Sequence, residues 1–212
     1  MRMRKKRHGA ERIALCADFI VRSGAEMPSF PCELEIGCGK GSFICEIAKR
    51  NPETRFVAVE KIPDVLLLAA EKVKAENIPN VKFIVGDAKN LGEFFPEKSV
   101  SRIYLNFSDP WPKSGHYKRR LTYRAFLEIY RRILTDDGQI VFKTDNRQLF
   151  DFSLGQFEEA GYSLSGLTYD LHNSEYSEGN IETEYERIFS EKGFPINRVV
   201  ASVDKCFGVH DV

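Results

Sequence analysis

The sequence predicts an α/β domain of the doubly wound type, in which helices cover both faces of a mostly parallel sheet. Short apolar segments alternate with longer segments of helical periodicity from residue 34 to residue 160, which is the pattern of successive βαβ units. The first apolar segment ends in a glycine-rich turn, residues 37–41, that leads directly into a helix. Ligands of such sheets bind beyond the carboxyl ends of the strands, so we expect the functional residues there.

Each predicted element has a local reason in the sequence. A mixed apolar face predicts a helix at residues 11–21, at the end of a basic N-terminal arm (residues 1–31) that precedes the single domain (residues 32–212). Pro63 suits the first turn of a helix and begins one after the second strand. Strands are predicted at residues 34–36, 56–60, 81–85, 100–107 and 139–143, and helices of the domain at residues 43–50, 63–75, 121–134 and 149–160.

The alternation weakens after Gly161. Short β-like segments at residues 162–169, 185–190 and 197–202 predict an antiparallel edge to the sheet. The chain shows no internal repeat and no low-complexity stretch, which favours a single domain.

The composition is that of a globular protein, with 42% hydrophobic and 29% charged residues among 212, and it excludes a disordered or collagen-like chain. No apolar run is long enough to span a membrane, so we expect a cytoplasmic protein without a membrane partner. The five cysteines include no CxxC pair, which favours reduced, mostly buried thiols over a disulfide framework or a metal site.

Acidic residues end the second and third predicted strands. Glu60 is placed to accept hydrogen bonds from both hydroxyls of a ribose, although a solvated carboxylate is the simpler alternative. Asp87 is placed to accept a hydrogen bond from an exocyclic amine such as that of adenine. The glycine turn departs from the dinucleotide fingerprint, because the third glycine of GxGxxG would fall at Ser42. Taken together, the turn and the two acids resemble the S-adenosyl-L-methionine site of Rossmann-like methyltransferases.

The fourth predicted strand leads into a loop with the sequence Asn-Phe-Ser-Asp-Pro-Trp-Pro-Lys, residues 106–113. Its two prolines stiffen the backbone. Trp111 is either a platform on which a flat substrate stacks or a plug in the core. Because this loop follows a central strand, we interpret Asp109 as an active-site residue.

The net charge of zero, from 31 basic and 31 acidic residues, hides two segments of opposite sign. Residues 113–132 contain seven lysines and arginines against one acid, interleaved with tyrosines, which is typical of a surface that binds a phosphate backbone. Residues 148–186 contain nine acids and no lysine or arginine. In that segment, residues 183–186 cluster acceptors suited to the adjacent N–H donors of guanine. The basic N-terminal arm is compatible with binding to the same RNA partner and equally with a role as a solvated tail.

The motifs at residues 35–41, 104–113, 118–121, 142–146 and 183–186 resemble those of the bacterial tRNA (guanine-N7-)-methyltransferases, the TrmB family. The resemblance spans residues 35–198. It implies a Rossmann-like class I methyltransferase fold with a mostly parallel seven-stranded sheet flanked by helices. It also implies transfer of a methyl group from S-adenosyl-L-methionine to N7 of the variable-loop guanine of tRNA, position 46. The sequence leaves open whether the protein is a monomer or a homodimer.

The resemblance further assigns roles to residues that match the motifs of the family. Asp109 is expected to be catalytic. The residues expected to contact S-adenosyl-L-methionine are Glu35, Gly37, Gly39, Glu60, Asp87 and Asp109. The residues expected to contact the guanine nucleotide are Lys113, Asp145, Thr183, Glu184, Tyr185 and Glu186. The residues expected to contact RNA are Gly115, His116, Tyr117, Lys118, Arg119 and Arg120.

Four alternatives remain open from the sequence. The Asp-Pro-Trp stretch at residues 109–111 also resembles the loop of RNA methyltransferases that modify exocyclic N2 or N6 amines. An NAD(P)-linked oxidoreductase and a non-catalytic RNA-binding module are the other functional classes. For Asp145, a helix N-cap is the structural alternative to a substrate contact.

Overall fold

The computed structural model describes residues 12, 14–27 and 30–204 of the chain. The basic cluster at residues 2–7 and the C-terminal residues 205–212 lie outside these residues. Within them, seven strands form one sheet in the order β3-β2-β1-β4-β5-β7-β6. The strands are β1 (Cys32–Ile36), β2 (Phe56–Glu60), β3 (Val81–Val85), β4 (Val100–Asn106), β5 (Leu134–Thr144), β6 (Tyr162–Thr168) and β7 (Asn197–Val203).

The strands from β1 to β5 pair in parallel, whereas β7 pairs antiparallel with both β5 and β6. The predicted parallel sheet with an antiparallel edge is therefore confirmed. The direction of winding reverses between β1 and β4, which lie side by side at the centre. In an open α/β sheet the crevice at such a switch point is the usual ligand site.

Five α-helices are described: α1 (Ser42–Arg50), α2 (Pro63–Ala75), α3 (Arg124–Ile133), α4 (Arg147–Glu159) and α5 (Glu184–Ser190). Pro63 occupies the first turn of α2 as predicted. The N-cap of α4 is Asn146, whose side chain accepts a hydrogen bond from the backbone N–H of Leu149 at 2.8 Å. The cap is therefore not Asp145, and that alternative is wrong.

The core lies on both faces of the sheet because side chains of the strands alternate between the two. In β2, Phe56 and Ala58 belong to the buried cluster that includes α1 and α2, whereas Val57 and Val59 belong to the cluster that includes α3 and α4. All four side chains are buried. This two-sided burial explains why the parallel strands appear in the sequence as continuous apolar segments.

Residues 185–190 were predicted as a strand, and the structure shows that they belong to α5 instead. Thr183 accepts a hydrogen bond from the Glu186 N–H at 2.9 Å, and the Glu186 carboxylate accepts one from the Thr183 N–H at 3.4 Å. This reciprocal pair is a capping box, and the Thr-x-x-Glu spacing is its sequence signature. The interpretation of residues 183–186 as a cluster of acceptors alone does not reveal this helix start.

The helix predicted at residues 11–21 does not extend to Val21. Ala17–Phe19 form a single 3₁₀ turn, and Ile20 then pairs with Phe83 of β3 in a parallel bridge. The Val21 N–H donates to the Phe83 carbonyl at 2.8 Å. The extended backbone at the outer strand therefore replaces the last turns of the predicted helix.

The four cysteines among the described residues, Cys16, Cys32, Cys38 and Cys45, are free and buried, as predicted. Burial raises the pKa of the Cys32 thiol to about 12 and that of Cys45 to about 11. These thiols therefore stay protonated at neutral pH. Cys206 lies outside the described residues. In the part of the chain that the structure describes, none of the helices has the length and apolar character needed to cross a membrane.

Candidate active site

Two clefts flank the carboxyl ends of β1 and β4. The larger, with a volume of about 640 Å³, is lined by the ends of the first four strands and by the loop after β4. The smaller, about 370 Å³, lies between the glycine-rich turn and the start of α5. Gly37, Asn106 and Phe107 line both, so the two clefts meet at the switch point of the sheet.

The glycine-rich turn holds the carboxylate of Glu60 at the rim of the large cleft. Gly37 and Gly39 have φ angles of +81° and +56°, a conformation that side chains with a Cβ rarely adopt. The Gly39 N–H donates to Glu60 Oε2 at 3.2 Å, and the Ile62 N–H donates to Oε1 at 2.9 Å. Glu60 is half-buried and fixed by two backbone amides, and each of its oxygens keeps a free lone pair for a ligand.

Asp87 lines the same cleft after β3. Its Oδ2 accepts a hydrogen bond from Lys61 Nζ at 2.8 Å and its Oδ1 accepts one from the Lys89 N–H at 3.1 Å. Burial raises the pKa of this carboxyl, but the two hydrogen bonds and the charges of both lysines outweigh it, so the pKa is lowered overall. Asp87 is therefore ionised at neutral pH and serves as an acceptor.

Glu35, near the end of β1, is only 2% exposed. Its Oε1 accepts a hydrogen bond from Asn106 Nδ2 at 3.2 Å. Burial raises the pKa of this carboxyl from its ordinary value of 4.5 to about 7, against the opposing effects of Asn106 and of the charge on Lys143. Among the described residues, Glu35 Oε2, Asn106 Oδ1 and Ser108 Oγ are buried and make no hydrogen bond.

The loop after β4 has a strained backbone. Phe107 and Trp111 have φ angles of +53° and +40°, in the left-handed region that non-glycine residues seldom occupy. Arg120 holds the loop in place, because its guanidinium donates to the carbonyls of Pro110 at 3.0 Å and Trp111 at 3.3 Å. The strain concentrates where Asp109 projects into the large cleft with an exposed side chain.

Trp111 does not plug the core. It is half-buried in the wall of the large cleft, where the guanidinium of Arg119 lies 4.9 Å from its ring centroid and His116 packs against its edge. An aromatic ring in this position is available to a flat ligand. The core-plug alternative is therefore wrong.

The residues expected to contact RNA differ in exposure. Lys113, Lys118 and Arg119 are exposed on or beside a 3₁₀ turn that spans Ser114–Arg119. Arg120 is half-buried and packs against the ring of Phe152 at 4.4 Å. The first three thus remain exposed to solvent, whereas Arg120 braces the loop after β4. Gly115, His116 and Tyr117 lie within the same turn.

The residues expected to contact guanine separate into two groups at the start of α5. Thr183, Glu184 and Tyr185 line the small cleft. The Tyr185 hydroxyl donates to Asp145 Oδ2 at 3.3 Å, which brings Asp145 to the edge of the same site. Glu186 points the other way and is fully buried.

Lys143 of β5 is the partner of Glu186 and has no role predicted from the sequence. Lys143 Nζ donates to Glu186 Oε2 at 2.7 Å, to Asn180 Oδ1 at 3.0 Å and to the Ile181 carbonyl at 2.9 Å. Its side chain is 3% exposed. Burial lowers the pKa of Lys143, although the negative charge of Glu186 opposes that effect. This buried ion pair ties the segment before α5 to β5.

Comparison with known proteins decides the family. A family model described as "Putative methyltransferase" matches residues 29–199. A curated tRNA (guanine-N(7)-)-methyltransferase of Geobacillus sp. (strain WCH70) is 45% identical over 93% of this chain and 94% of its own length. The enzyme of the same name from Listeria monocytogenes serotype 4a (strain HCC23) is 52% identical over 82% of this chain and 81% of its own length. The chain belongs to the tRNA (guanine-N7-)-methyltransferase family.

The fold of this methyltransferase agrees with that assignment. The crystal structure of the 16S rRNA methyltransferase KamB superposes with a TM-score of 0.62 at 14% identity, covering 96% of each chain. At this identity the likeness concerns the fold alone. It confirms the predicted Rossmann-like class I methyltransferase architecture.

The large cleft of this methyltransferase fits S-adenosyl-L-methionine, the cofactor of its fold. Glu35 lines the small cleft, next to the point where the two clefts meet, and its unpartnered Oε2 is an acceptor for an amino group such as that of the methionine moiety. Glu60 has free acceptor positions for the ribose hydroxyls, and Asp87 for the adenine amine. The acids of the cleft also suit the positive charge of the sulfonium. In the described part of the chain, no group of three or more His, Cys, Asp or Glu side chains is arranged to hold a metal ion.

The raised pKa of Glu35 predicts a pH-dependent effect of Glu35→Gln. Between pH 4.5 and about 7 the folded ligand-free protein retains a proton that the unfolded chain releases, so Glu35 lowers the stability as the pH rises through this window. The variant should therefore gain stability relative to the parent, by at most about 3 kcal/mol above pH 7. Urea unfolding at pH 5 and pH 8 measures the difference.

The same substitution should weaken the binding of S-adenosyl-L-methionine at pH 8, measured by calorimetry, because the amino group loses its carboxylate partner. A difference in unfolding free energy between variant and parent that is equal at the two pH values would contradict the pKa shift.

Proposed function

We propose that this protein transfers a methyl group from S-adenosyl-L-methionine to N7 of guanine in tRNA, at the variable-loop guanine, position 46. The observation that carries the proposal is the meeting of two clefts at the ends of β1 and β4. One is lined by acids suited to an adenosine-containing methyl donor, and the other by the Thr183, Glu184 and Tyr185 motif. The tRNA substrate and the reduced cysteines support a cytoplasmic location.

Methyl transfer to guanine N7 requires the protein mainly to align the purine with the methyl group. Guanine N7 carries an in-plane lone pair and no proton, so its attack needs no general base. S-adenosyl-L-methionine supplies an activated methyl group when it is bound. The protein holds the purine at contact distance and in line with that group, an effect worth several orders of magnitude in rate.

Asp109 is the residue we place nearest the developing charge. It lines the large cleft beside Phe107, which borders both clefts. No hydrogen bond or ion pair with another described residue engages its carboxylate. A free carboxylate at this point stabilises the positive charge that the purine acquires on methylation, or accepts a hydrogen bond from the edge of the guanine.

The remaining substrate contacts follow from charge and position. Glu184 and Tyr185 present acceptors to the N1–H and N2 amino group of the base, and Asp145 supports Tyr185 through its hydrogen bond. Lys113, Lys118 and Arg119 extend the site toward the phosphates. Lys40, which lies 3.2 Å from a carboxylate oxygen of Glu184, is a cation at the entrance of the small cleft that the sequence interpretation did not assign.

The decisive experiment uses labelled S-adenosyl-L-methionine and tRNA that lacks the modification, followed by mapping of the modified position. Nucleoside analysis after mild alkali or borohydride treatment should show loss of the labelled nucleoside, because alkali opens and borohydride reduces the charged ring of N7-methylguanosine and neither alters N2- or N6-methylated nucleosides. A label stable to both treatments would replace the proposal by methylation of an exocyclic amine. Absence of label despite tRNA binding would indicate a non-catalytic RNA-binding module.

The exposed basic residues predict a steep salt dependence. Each phosphate contact contributes close to one unit to the slope of log K against log salt concentration. The double variant Lys118→Ala/Arg119→Ala should therefore bind tRNA more weakly and show a slope smaller by about one to two units. Fluorescence anisotropy with labelled tRNA at several salt concentrations measures both quantities.

The matched control is Lys98→Ala/Arg132→Ala, which removes two exposed cations at the opposite end of the sheet. Equal slopes for this control and the parent are expected. A slope that Lys118→Ala/Arg119→Ala leaves unchanged would exclude these residues from the phosphate contacts.

A further inference from the structure

Four aromatic rings form a continuous series from the small cleft to the protein surface; we call them the aromatic ladder (Phe107, Tyr185, Phe189 and Phe194). The ring centroids of Phe107 and Tyr185 are 5.2 Å apart, those of Tyr185 and Phe189 4.2 Å, and those of Phe189 and Phe194 5.7 Å. The Tyr185 and Phe189 rings are stacked, with an angle of 19° between their planes. The ladder begins with residues of the small cleft and ends outside it.

The outermost ring is exposed although its backbone is fixed. Phe194 is 53% exposed, the highest value among the aromatic side chains of the described residues. Its N–H donates to the Phe189 carbonyl at 3.1 Å, and the Gly193 N–H donates to the Ser190 carbonyl at 2.8 Å. These bonds hold the loop after α5 in one conformation. The fold thus presents a large apolar ring to solvent in a defined place, beside rings that lead into the candidate active site.

Charge around the ladder favours a nucleotide over a purely apolar partner. Tyr185 of the ladder lies between Glu184 and Glu186 at the end of a segment, residues 148–186, with nine acids and no lysine or arginine, so a contact that needs no positive charge suits RNA here. Stacking of a base on an aromatic ring is such an interaction. Lys192 Nζ lies 5.5 Å from the ring centroid of Phe189 and is a cation placed to accompany a phosphate.

The proposed reaction itself requires a surface on which a base can stack. A guanine that enters the small cleft has to leave the base stack of its own strand, and this exposes the faces of the neighbouring bases. We propose that the aromatic ladder is a stacking platform for a nucleotide adjacent to the target guanine, with Phe194 as its outer contact. This inference rests on the proposed function. It adds a second RNA-binding surface to the one formed by Lys113, Lys118 and Arg119.

Phe194→Ala tests the platform without disturbing the core. With tRNA that lacks the modification, we expect its KM to rise roughly 5- to 150-fold, the range for loss of one stacked base, with kcat and the affinity for S-adenosyl-L-methionine unchanged. Phe194→Trp should retain the parent KM. Leu15→Ala is the matched control, since Leu15 is also exposed but lies near α2, where its carbonyl accepts from Lys74.

A second arm identifies the nucleotide. In tRNA with an abasic site immediately 5′ or 3′ of the target guanine, one of the two substitutions should raise the KM of the parent and abolish the further effect of Phe194→Ala. A KM for Phe194→Ala equal to that of the parent would overturn the platform, as would an effect undiminished by both abasic substrates. Conversion of a dimer to a monomer by Phe194→Ala in sedimentation equilibrium would overturn it in favour of a contact between copies. Failure of the proposed function is distinguishable, because the parent protein would then methylate no tRNA.

Discussion

Asp109→Ala is expected to lower kcat for methyl transfer to tRNA by roughly 10²- to 10³-fold while leaving the fold intact. The physical reason is that Asp109 is exposed in the large cleft and has no described partner, so its removal leaves no buried group unsatisfied. The substitution instead slows methyl transfer, because the carboxylate stabilises the developing positive charge or holds the edge of the guanine. Single-turnover methylation at saturating tRNA measures the rate, and circular dichroism checks the fold.

Asp109→Asn separates the two roles of the carboxylate. It keeps an acceptor oxygen but removes the charge, so an electrostatic role predicts a loss close to that of Asp109→Ala, and a positioning role predicts a partial recovery. Asp136→Ala, which breaks an exposed pair with Lys98 on the opposite side of the sheet, should have the parent rate. Methylation by Asp109→Ala at the parent rate would remove Asp109 from the catalytic assignment.

Lys143→Met is expected to cost about 3–5 kcal/mol of unfolding free energy, because it leaves the carboxylate of Glu186 buried without its cation. The domain as a whole has on the order of 5–15 kcal/mol available. The substitution should also release the segment before α5, since Lys143 donates to both Asn180 and Ile181. Urea unfolding followed by circular dichroism measures the loss.

The double variant Lys143→Met/Glu186→Gln should recover much of the stability, because the buried residue is then neutral. Lys98→Met removes an exposed, solvent-screened pair and should leave the unfolding free energy close to that of the parent. A cost for Lys143→Met no greater than that of Lys98→Met would show that the buried pair does not hold the α5 segment in place.

The rim of the large cleft could be predicted because its residues follow strands of a parallel sheet. Apolar segments locate the strands, and the topology of βαβ units brings their carboxyl ends to one edge. Gly37, Glu60, Asp87 and Asp109 each lie at the end of such a segment or within two residues after it, so their proximity follows from local patterns and one general rule. The structure indeed places all four in the lining of the large cleft.

The roles of Glu186 and Arg120 could not be predicted, because they depend on packing between distant parts of the chain. Glu186 and Lys143 are 43 residues apart, and nothing local to either indicates that both are buried. Arg120 belongs to a run of basic residues and differs from them only through its contacts with Phe152 and the Pro110 and Trp111 carbonyls. The start of α5 was predictable in principle, from the capping box at residues 183–186.

The bridge between Ile20 and Phe83 has a consequence for solubility. β3 is an outer strand of the sheet, and an outer strand with free N–H and C=O groups is a template on which a strand from another molecule can add. The segment before β1 occupies part of this template, through the bridge and through the bond from Val21 to Phe83. A chain shortened to begin at β1 would expose that edge, and its first failure would be self-association rather than loss of catalysis.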